Sequence, residues 1–223
     1  TDWVSDPFRL EVRDGCAYGR GAADMKGGIA AFVVALEALH RLNVRLAGDV
    51  VVCTNTDEGS SGAGGHMCVR RGIAADAGTV AEPTGFDAWV SCRGTLTPVI
   101  TVPGRAGHAE MPQPDWRDGG AVNAIEKLAP LLDGIGKLRE EWRMRPDHRH
   151  PLLRPGDIVP TLVNGGTWVV TYPDRCDLTC NITYLPTHVD AEGTGRPVER
   201  EVAVRLNEAV AADPWFREHP LEI

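Results

Sequence analysis

Residues 18–28 read Tyr18-Gly19-Arg20-Gly21-Ala22-Ala23-Asp24-Met25-Lys26-Gly27-Gly28, a glycine-rich turn that carries one carboxylate into the start of a helix. The helix predicted from about Gly27 to Leu42 contains the run 29–36, which has no polar side chain, so we expect it to be buried on most sides. An ionised acid beside a buried helix is costly unless it is paired or binds a cation. Asp24 is therefore either a helix cap, a position that aspartate favours, or a metal ligand, and this stretch alone leaves both open.

Acidic residues also follow two strands predicted downstream. A buried strand over 49–55 runs into Asp57 and Glu58, and a short strand over 78–82 ends in Glu82. Because α/β sheets place their chemistry at the ends of strands, we expect Asp24, Glu58 and Glu82 to converge in the folded chain.

The pattern changes near Cys92, after a further strand predicted over 87–92. The predicted elements that follow are strands over 95–102, 157–163, 167–172, 176–185 and 221–223, and helices over 121–143 and 198–212. With one of the three middle strands set aside, their order is β-α-β-β-α-β, which predicts two helices on one face of a sheet. We therefore expect residues 1–92 and 93–223 to form separate domains.

Composition narrows the class of protein. The chain has 223 residues, of which 43% are hydrophobic and 24% charged, as in an ordinary globular protein. No apolar run reaches the ~20 residues of a membrane helix. The net charge of −8 argues against nucleic-acid binding by bulk electrostatics. The six cysteines are scattered, and we expect buried, reduced thiols, as in a cytoplasmic protein.

Seven segments together resemble the M20 family of metallopeptidases and amidohydrolases, in particular its acetylornithine deacetylase and succinyl-diaminopimelate desuccinylase branch. They are GRGAADMKGG (19–28), TDE with SSGAGG (56–65), AEPT (81–84), RGT (93–95), GRAGHAEMP (104–112), NGG (164–166) and CDLTCNITYLP (176–186). The resemblance implies an α/β fold: part of a zinc-peptidase-like catalytic domain (1–92), then an α+β lid, or dimerisation, domain (93–223) truncated at its last strand. It also implies an internal fragment, with one metal motif before Thr1 and a histidine ligand after Ile223.

The same resemblance implies a di-zinc amide hydrolase, with Co²⁺ as a possible substitute, acting on N-acyl amino acids or small peptides. Asp24 would bridge the two metals and Glu82 would bind one of them, while Glu58 would be the general base. His108, on the lid, would reach the active site of a second subunit in a homodimer and stabilise the oxyanion. The alternative for His108 is a surface histidine that caps the next turn. We expect no nucleic-acid or membrane partner.

Departures from the family pattern bear on activity. The family has Asp-Glu-Glu where this chain has Asp57-Glu58-Gly59, so glycine replaces a metal-binding glutamate. The rival register makes Asp57 the base and Glu58 the ligand. Tyr184 stands where an arginine is common, and an asparagine is common near Val170; those family residues bind a substrate carboxylate. We expect this chain by itself to bind zinc weakly and not to hydrolyse amides. The alternatives are a non-catalytic, dimerising relic with a degraded metal site, or a plain fragment of a working enzyme.

The remaining histidines are not expected to bind metal. His66 is interpreted as a surface or packing residue, and His148 and His150 as part of a solvated loop over 145–155. The resemblance also predicts a cis peptide bond between Asp24 and Met25.

Overall fold

Strands and helices are distributed over two units, the first ending at Ala88 and the second comprising Trp89–Ile223. The computed structural model describes residues 2–59 and 61–223. The mixed α/β character agrees with the predicted fold class, and the division falls a few residues before the predicted boundary at Cys92.

The first unit contains a hairpin and two helices. Strands β1 (Glu11–Arg13) and β2 (Cys16–Tyr18) pair in an antiparallel ladder across a turn in which Asp14 and Gly15 both have positive φ. Helix α1 spans Gly27–Arg41, which confirms the predicted helix, and α2 spans Ala63–Arg70.

Two expectations for the first unit are wrong. The segments 49–55, 78–82 and 87–92 form no strand among the described residues. Helix α1 has no buried residue, and Val33 and Val34 are 55% and 62% exposed. A strand exists only when a neighbour completes its hydrogen bonds, and an apolar helix is buried only when a second layer covers it. Within the described residues of this unit neither condition is met.

The second unit is built around the long strand β8 (Arg175–Tyr184). Strands β3 (Gly94–Leu96) and β4 (Val99–Pro103) pair antiparallel with successive parts of β8, and β6 (Asp157–Gly165) pairs antiparallel with its other edge. An antiparallel bridge between Thr101 and Glu222 places the end of the chain beside β4, where a last strand was predicted. Among the strands of this sheet and the two long helices, the order from β4 onward is strand, helix, strand, strand, helix and bridge.

Three helices accompany this sheet: α3 (Leu128–Met144), α4 (Arg196–Val210) and the short α5 (Pro214–Glu218). Alternate residues of β8 are buried, and they share one core cluster with Leu131 and Ile135 of α3 and with Val202 and Leu206 of α4. The alternating burial shows that one face of the sheet supplies the core.

Helix α3 begins later than the predicted start at residue 121. Val122 instead forms an antiparallel bridge with Arg105, and the Asn123 side chain accepts a hydrogen bond from the Ile125 amide. The apolar spacing continues through this segment, but the backbone pairs with a distant residue, which the local pattern does not reveal.

The prediction of buried thiols holds for two of the six cysteines. Cys176 and Cys180 face the core from β8, and burial raises the pKa of Cys180 to about 11. Cys16, Cys53 and Cys92 are exposed, and Cys68 is half-buried. All six are free thiols. Separately, no helix in the described residues combines the length and apolar character that crossing a membrane requires.

Candidate active site

The turn Ala22–Lys26 presents Asp24 at the start of α1. Asp24 and Met25 have non-helical backbone angles, and the peptide bond between them is cis, as predicted. The Lys26 amide donates to the Gly21 carbonyl at 2.9 Å, and Lys26 Nζ donates to the Arg20 carbonyl at 3.1 Å. Gly21 lies in the left-handed region at φ 73°, which glycine adopts at little cost. The turn is thus closed by its own backbone, and the Asp24 side chain is exposed.

Two glycines of this unit allow close contacts between backbone segments, one at the start of α1 and one in α2. A Cβ added at Gly28 would lie 2.1 Å from the Ala81 carbonyl oxygen, so the start of α1 contacts the residue before Glu82. A Cβ at Gly64 would lie 2.3 Å from the Thr56 carbonyl oxygen, so α2 contacts the segment that leads to Glu58. Larger side chains would separate these segments, so the Gly28 contact keeps the residue before Glu82 beside the start of α1 and the Gly64 contact keeps α2 beside Thr56.

The acids of this unit influence one another. Partial desolvation raises the pKa of Glu82, and the negative charges of Asp24 and then Glu58 raise it further. Asp24 also lies within hydrogen-bonding reach of Glu82. The structure therefore brings Asp24 and Glu82 together and places Glu58 near enough for its charge to act on Glu82. The three are not as closely grouped as the ligands of a single metal ion, because their oxygens do not all lie within 4.8 Å of one another.

Asp57 and Glu58 have different surroundings. Asp57 has φ 64°, its carboxylate accepts a hydrogen bond from the Ser61 hydroxyl, and its carbonyl accepts one from the Gly62 amide at 2.8 Å. Asp57 thus stabilises the turn into α2, a local role that aspartate often fills. The Glu58 side chain is exposed.

The donor set limits which metal it can hold. Asp24, Glu58 and Glu82 offer only carboxylate oxygens, which suit hard divalent cations such as Mg²⁺ or Mn²⁺. A catalytic zinc normally has about three protein ligands with nitrogen or sulfur among them, so these carboxylates do not by themselves fit a zinc pair. Asp24 and Glu82, the two acids that approach each other, could share one oxygen-ligated cation. Gly59 has room for a side chain, because an added Cβ would meet nothing within 4 Å.

His108 lies in the second unit, in a two-stranded sheet of β5 (Gly107–His108) and β7 (Thr171–Tyr172). The strand predicted over 167–172 is reduced to β7, because residues 167–170 form a turn. The His108 side chain is exposed, and its Nδ1 accepts a hydrogen bond from the Glu110 amide at 3.3 Å. This bond matches the capping alternative and leaves Nε2 as a possible donor. An open groove of about 700 Å³ runs beside these strands, lined in part by Ala109 and Trp168.

Tyr184, at the position of a common family arginine, belongs to the core. It is 8% exposed, and its ring occupies the space that a Cβ on Gly94 or Gly195 would need. A side chain enclosed in this way cannot reach a ligand at the surface. Tyr184 therefore contributes packing and offers no cation to a ligand.

A second group of metal-ligating side chains was not predicted. The ligand atoms of Asp147, His148 and His188 all lie within 4.8 Å of one another. His148 is 2% exposed, so its assignment to a solvated loop is wrong, whereas Nδ1 of His150 accepts hydrogen bonds from the Leu152 and Leu153 amides. A sequence signal does exist: the pattern Pro-x-His occurs at 146–148 and again at 186–188.

The pKa values of His148 and Asp147 in this second group are both lowered, but for different reasons. Burial lowers the pKa of His148, and the nearby His188 and Arg145 lower it further. Hydrogen bonds from Arg145 lower the pKa of Asp147 to about 2. At neutral pH the group therefore contains a neutral His148 imidazole and an ionised carboxylate.

Comparison with known proteins agrees with the resemblance. Residues 1–216 match the sequence model of peptidase family M20/M25/M40. The chain is 32% identical over 225 aligned positions to N-formyl-4-amino-5-aminomethyl-2-methylpyrimidine deformylase of Halalkalibacterium halodurans, covering 98% of the chain and 51% of that protein. It is 31% identical over 217 positions to succinyl-diaminopimelate desuccinylase of Xanthomonas campestris pv. campestris, covering 92% of the chain and 53% of that protein.

Among solved structures, aminopeptidase PepT from Bacillus cereus aligns with a TM-score of 0.49 and 17% identity, covering 91% of this chain and 48% of that one. The chain spans about half the length of the curated relatives it matches. Those relatives are hydrolases of C–N bonds in amides. On the match to nearly all of its residues, the chain belongs to peptidase family M20/M25/M40, a metal-dependent family.

Proposed function

We propose that this chain contributes the acidic part of the active site of a metal-dependent amide hydrolase that removes a small acyl group from an amine. The observation that carries the proposal is the meeting of Asp24 with Glu82, with the charge of Glu58 beside them, in a chain of this family. Asp24 and Glu82 lie far apart in sequence, and the close contact of Gly28 with Ala81 brings their segments together.

Asp24 and Glu82 would hold a divalent cation between their carboxylates. Such a cation, when bound, polarises a carbonyl and lowers the pKa of water. Glu58 would accept the proton of the attacking water and pass it to the leaving amine, as a general base and then a general acid. The exposed Glu58 suits this role better than Asp57, whose carboxylate is engaged by Ser61.

His108 would supply a hydrogen bond to the oxyanion that develops on the substrate carbonyl. Its Nδ1 accepts from the Glu110 amide, so the neutral ring carries its proton on Nε2 and can donate there. In this proposal residues 1–92 belong to the catalytic domain, and residues 93–223 form a lid through which two copies dimerise. A pair of zinc ions, replaceable by Co²⁺, would need ligands in addition to these carboxylates.

The substrate would be an N-acyl amino acid, a small peptide or a related N-acyl amine. The two relatives are named for removing a formyl group from an aminopyrimidine and a succinyl group from diaminopimelate. The buried Tyr184 offers no cation to a substrate carboxylate. Among these substrates we therefore expect N-acyl amines without a carboxylate next to the scissile bond to be hydrolysed better than N-acyl amino acids.

Metal binding by this chain tests the cation site. We expect weak zinc binding and no amide hydrolysis by the 223-residue chain, because glycine occupies position 59. Gly59→Glu should raise the affinity for Mn²⁺ in a calorimetric titration, since the site is open and a third carboxylate is added. Gly65→Glu is the matched control, because its added side chain also meets nothing within 4 Å. Equal affinities in the two variants would show that Gly59 does not replace a ligand.

Assays of the protein encoded by the entire open reading frame distinguish the proposed hydrolase from a second candidate, a non-catalytic relic. The glycine at position 59 favours the relic. The proposal predicts metal-dependent release of formate or acetate from N-acyl amines. Replacing Glu58 by Gln should lower kcat/KM by about 10²–10⁴-fold, the range of a general base, with little effect from Asp57→Asn. Complete inactivity of the wild-type product with Zn²⁺ or Co²⁺ would support the relic instead.

A further inference from the structure

Two short 3₁₀ turns of the same design meet in the second unit. Pro146–His148 follows α3, and Pro186–His188 follows β8; each begins with proline and ends with histidine. The centroids of the two imidazole rings are 4.4 Å apart. Both turns lie in a different unit from the acidic group of Asp24, Glu58 and Glu82, and the proposed hydrolase makes no use of them.

His148 is an unusual residue to bury here. It is 2% exposed, and both Nδ1 and Nε2 are buried without a hydrogen-bond partner among the described residues. The Trp142 ring stacks on it with centroids 5.1 Å apart, which fixes the plane of the imidazole. Buried polar groups without partners are destabilising and are rare in native structures, so these nitrogens call for an unseen ligand.

His188 is oriented as a ligand would be. Its Nε2 lies 3.0 Å from the Asp147 carbonyl oxygen. A proton on Nε2 donated to that carbonyl leaves the lone pair on Nδ1. Metal-binding histidines typically donate their other N–H to a backbone carbonyl or a carboxylate in this way, which fixes the tautomer and the ring.

We propose that Asp147, His148 and His188 bind a divalent transition-metal ion such as Zn²⁺. Their ligand atoms all lie within 4.8 Å of one another. Two imidazole nitrogens and one carboxylate oxygen make a three-ligand set that zinc uses, with a fourth position left for water. Imidazole also suits Co²⁺, Ni²⁺ and Cu²⁺, whereas Mg²⁺ and Ca²⁺ prefer oxygen ligands.

The surrounding charges are compatible with a cation. Arg145 donates to both carboxylate oxygens of Asp147, at 3.1 and 2.6 Å, and forms an ion pair with Glu201. Trp142 Nε1 donates to Glu201 at 3.1 Å. One guanidinium thus faces two carboxylates, so the local charge is negative before any metal binds. Arg145 orients the Asp147 carboxylate, and a bound ion would connect the end of α3 to the end of β8.

The test uses the 223-residue chain with Asp24→Asn and Glu82→Gln, which removes the two carboxylates proposed to hold a cation in the first unit and makes the result independent of the proposed hydrolase. Zn²⁺ is titrated by calorimetry, and Co²⁺ binding is followed by its visible absorption. We expect one ion per chain and displacement of the Co²⁺ bands by Zn²⁺. The imidazole NMR signals of His148 and His188 should shift with the same stoichiometry.

His188→Gln is the decisive variant, because His188 is half-buried and its loss threatens the fold less than loss of His148. It should weaken Zn²⁺ binding by at least about tenfold, since loss of an outer-shell partner alone costs 10–100-fold. His150 lies in the loop that carries His148 but outside the group, so His150→Gln should bind Zn²⁺ like its parent. Circular dichroism would verify that all three chains are folded. Equal Zn²⁺ affinity in His188→Gln and His150→Gln, or imidazole signals unmoved by Zn²⁺, would overturn the site.

Discussion

The two units differ in where their apolar side chains lie. In the second unit, β4, β6 and β8 share one core with α3 and α4, and the buried apolar residues described for the chain begin at Ile100. In the first unit neither helix has a buried residue, yet this unit carries Asp24, Glu58 and Glu82. The comparison teaches that the buried apolar core of the described residues belongs to the second unit, whereas the three acids of the proposed cation site belong to a unit whose two helices have no buried residue.

The largest expected contrast is between two leucines. Leu131 is fully buried in α3, and Leu42, at the end of α1, is 74% exposed. Leu131→Ala should lower the free energy of unfolding by about 2–5 kcal/mol, because it leaves a cavity in the core. Leu42→Ala should change it by less than about 0.5 kcal/mol. Urea denaturation followed by tryptophan fluorescence measures both, and similar losses would contradict the difference between the units.

A smaller difference in the free energy of unfolding is expected between alanine substitutions at two glycines, one packed against a side chain and one beside open space. A Cβ at Gly94 would lie 2.2 Å from the buried Tyr184 ring, so Gly94→Ala should cost about 1–3 kcal/mol through overpacking. Gly136 in α3 has open space, and Gly136→Ala should stabilise by about 0.5–1 kcal/mol, since alanine favours a helix.

Gly28→Ala extends this comparison to the first unit. Its Cβ would meet the Ala81 carbonyl and displace the segment that carries Glu82. We expect weaker Mn²⁺ binding with an almost unchanged urea midpoint, measured by calorimetry and denaturation of the same sample. A large loss of stability from Gly28→Ala would show that the first unit contributes more folding free energy than its exposure indicates.

Features that depend on residues close together in the sequence were predicted better than features that depend on contacts between distant residues. The position of helix α1 follows from a short stretch, so the local pattern was sufficient, whereas the cis bond after Asp24 was predicted only through the family resemblance. The strand predicted over 49–55 failed because a strand needs a neighbour that the local pattern cannot supply. The late start of α3 and the burial of His148 were missed for a similar reason: each depends on contacts with residues distant in sequence, Arg105 for one and His188 for the other.

The smallest expected effect is a pH dependence in the second unit. Hydrogen bonds from Arg175, and then one from Thr101, lower the pKa of Asp177. A carboxyl with a lowered folded-state pKa contributes stability above its unfolded pKa of about 3.9 and loses it as the pH falls through the lower folded value. Asp177→Asn should remove about 0.5–1 kcal/mol at pH 6 and flatten the decline of stability below pH 4.

Asp133→Asn is the control for Asp177→Asn. Asp133 forms an exposed ion pair with Lys137 on α3, and its side chain is 65% exposed, against 30% for Asp177. Its replacement should leave the pH profile almost unchanged. Urea midpoints from pH 2 to 6 make the comparison, and an equal flattening in both variants would assign the effect to net charge instead of to the contacts of Asp177.

The central claim is that the proposed cation site lies in the first unit and the stable core in the second. Amide hydrogen exchange, resolved along this chain with and without Mn²⁺, tests it most directly. The slowest exchange should occur in β8 and α3, while the amides of residues 49–55 and 78–82 exchange quickly. Adding Mn²⁺ should slow exchange at residues 24–28 and 81–84 and leave β8 unchanged. Protection of residues 49–55 equal to that of β8, or a response to Mn²⁺ confined to the second unit, would contradict this assignment.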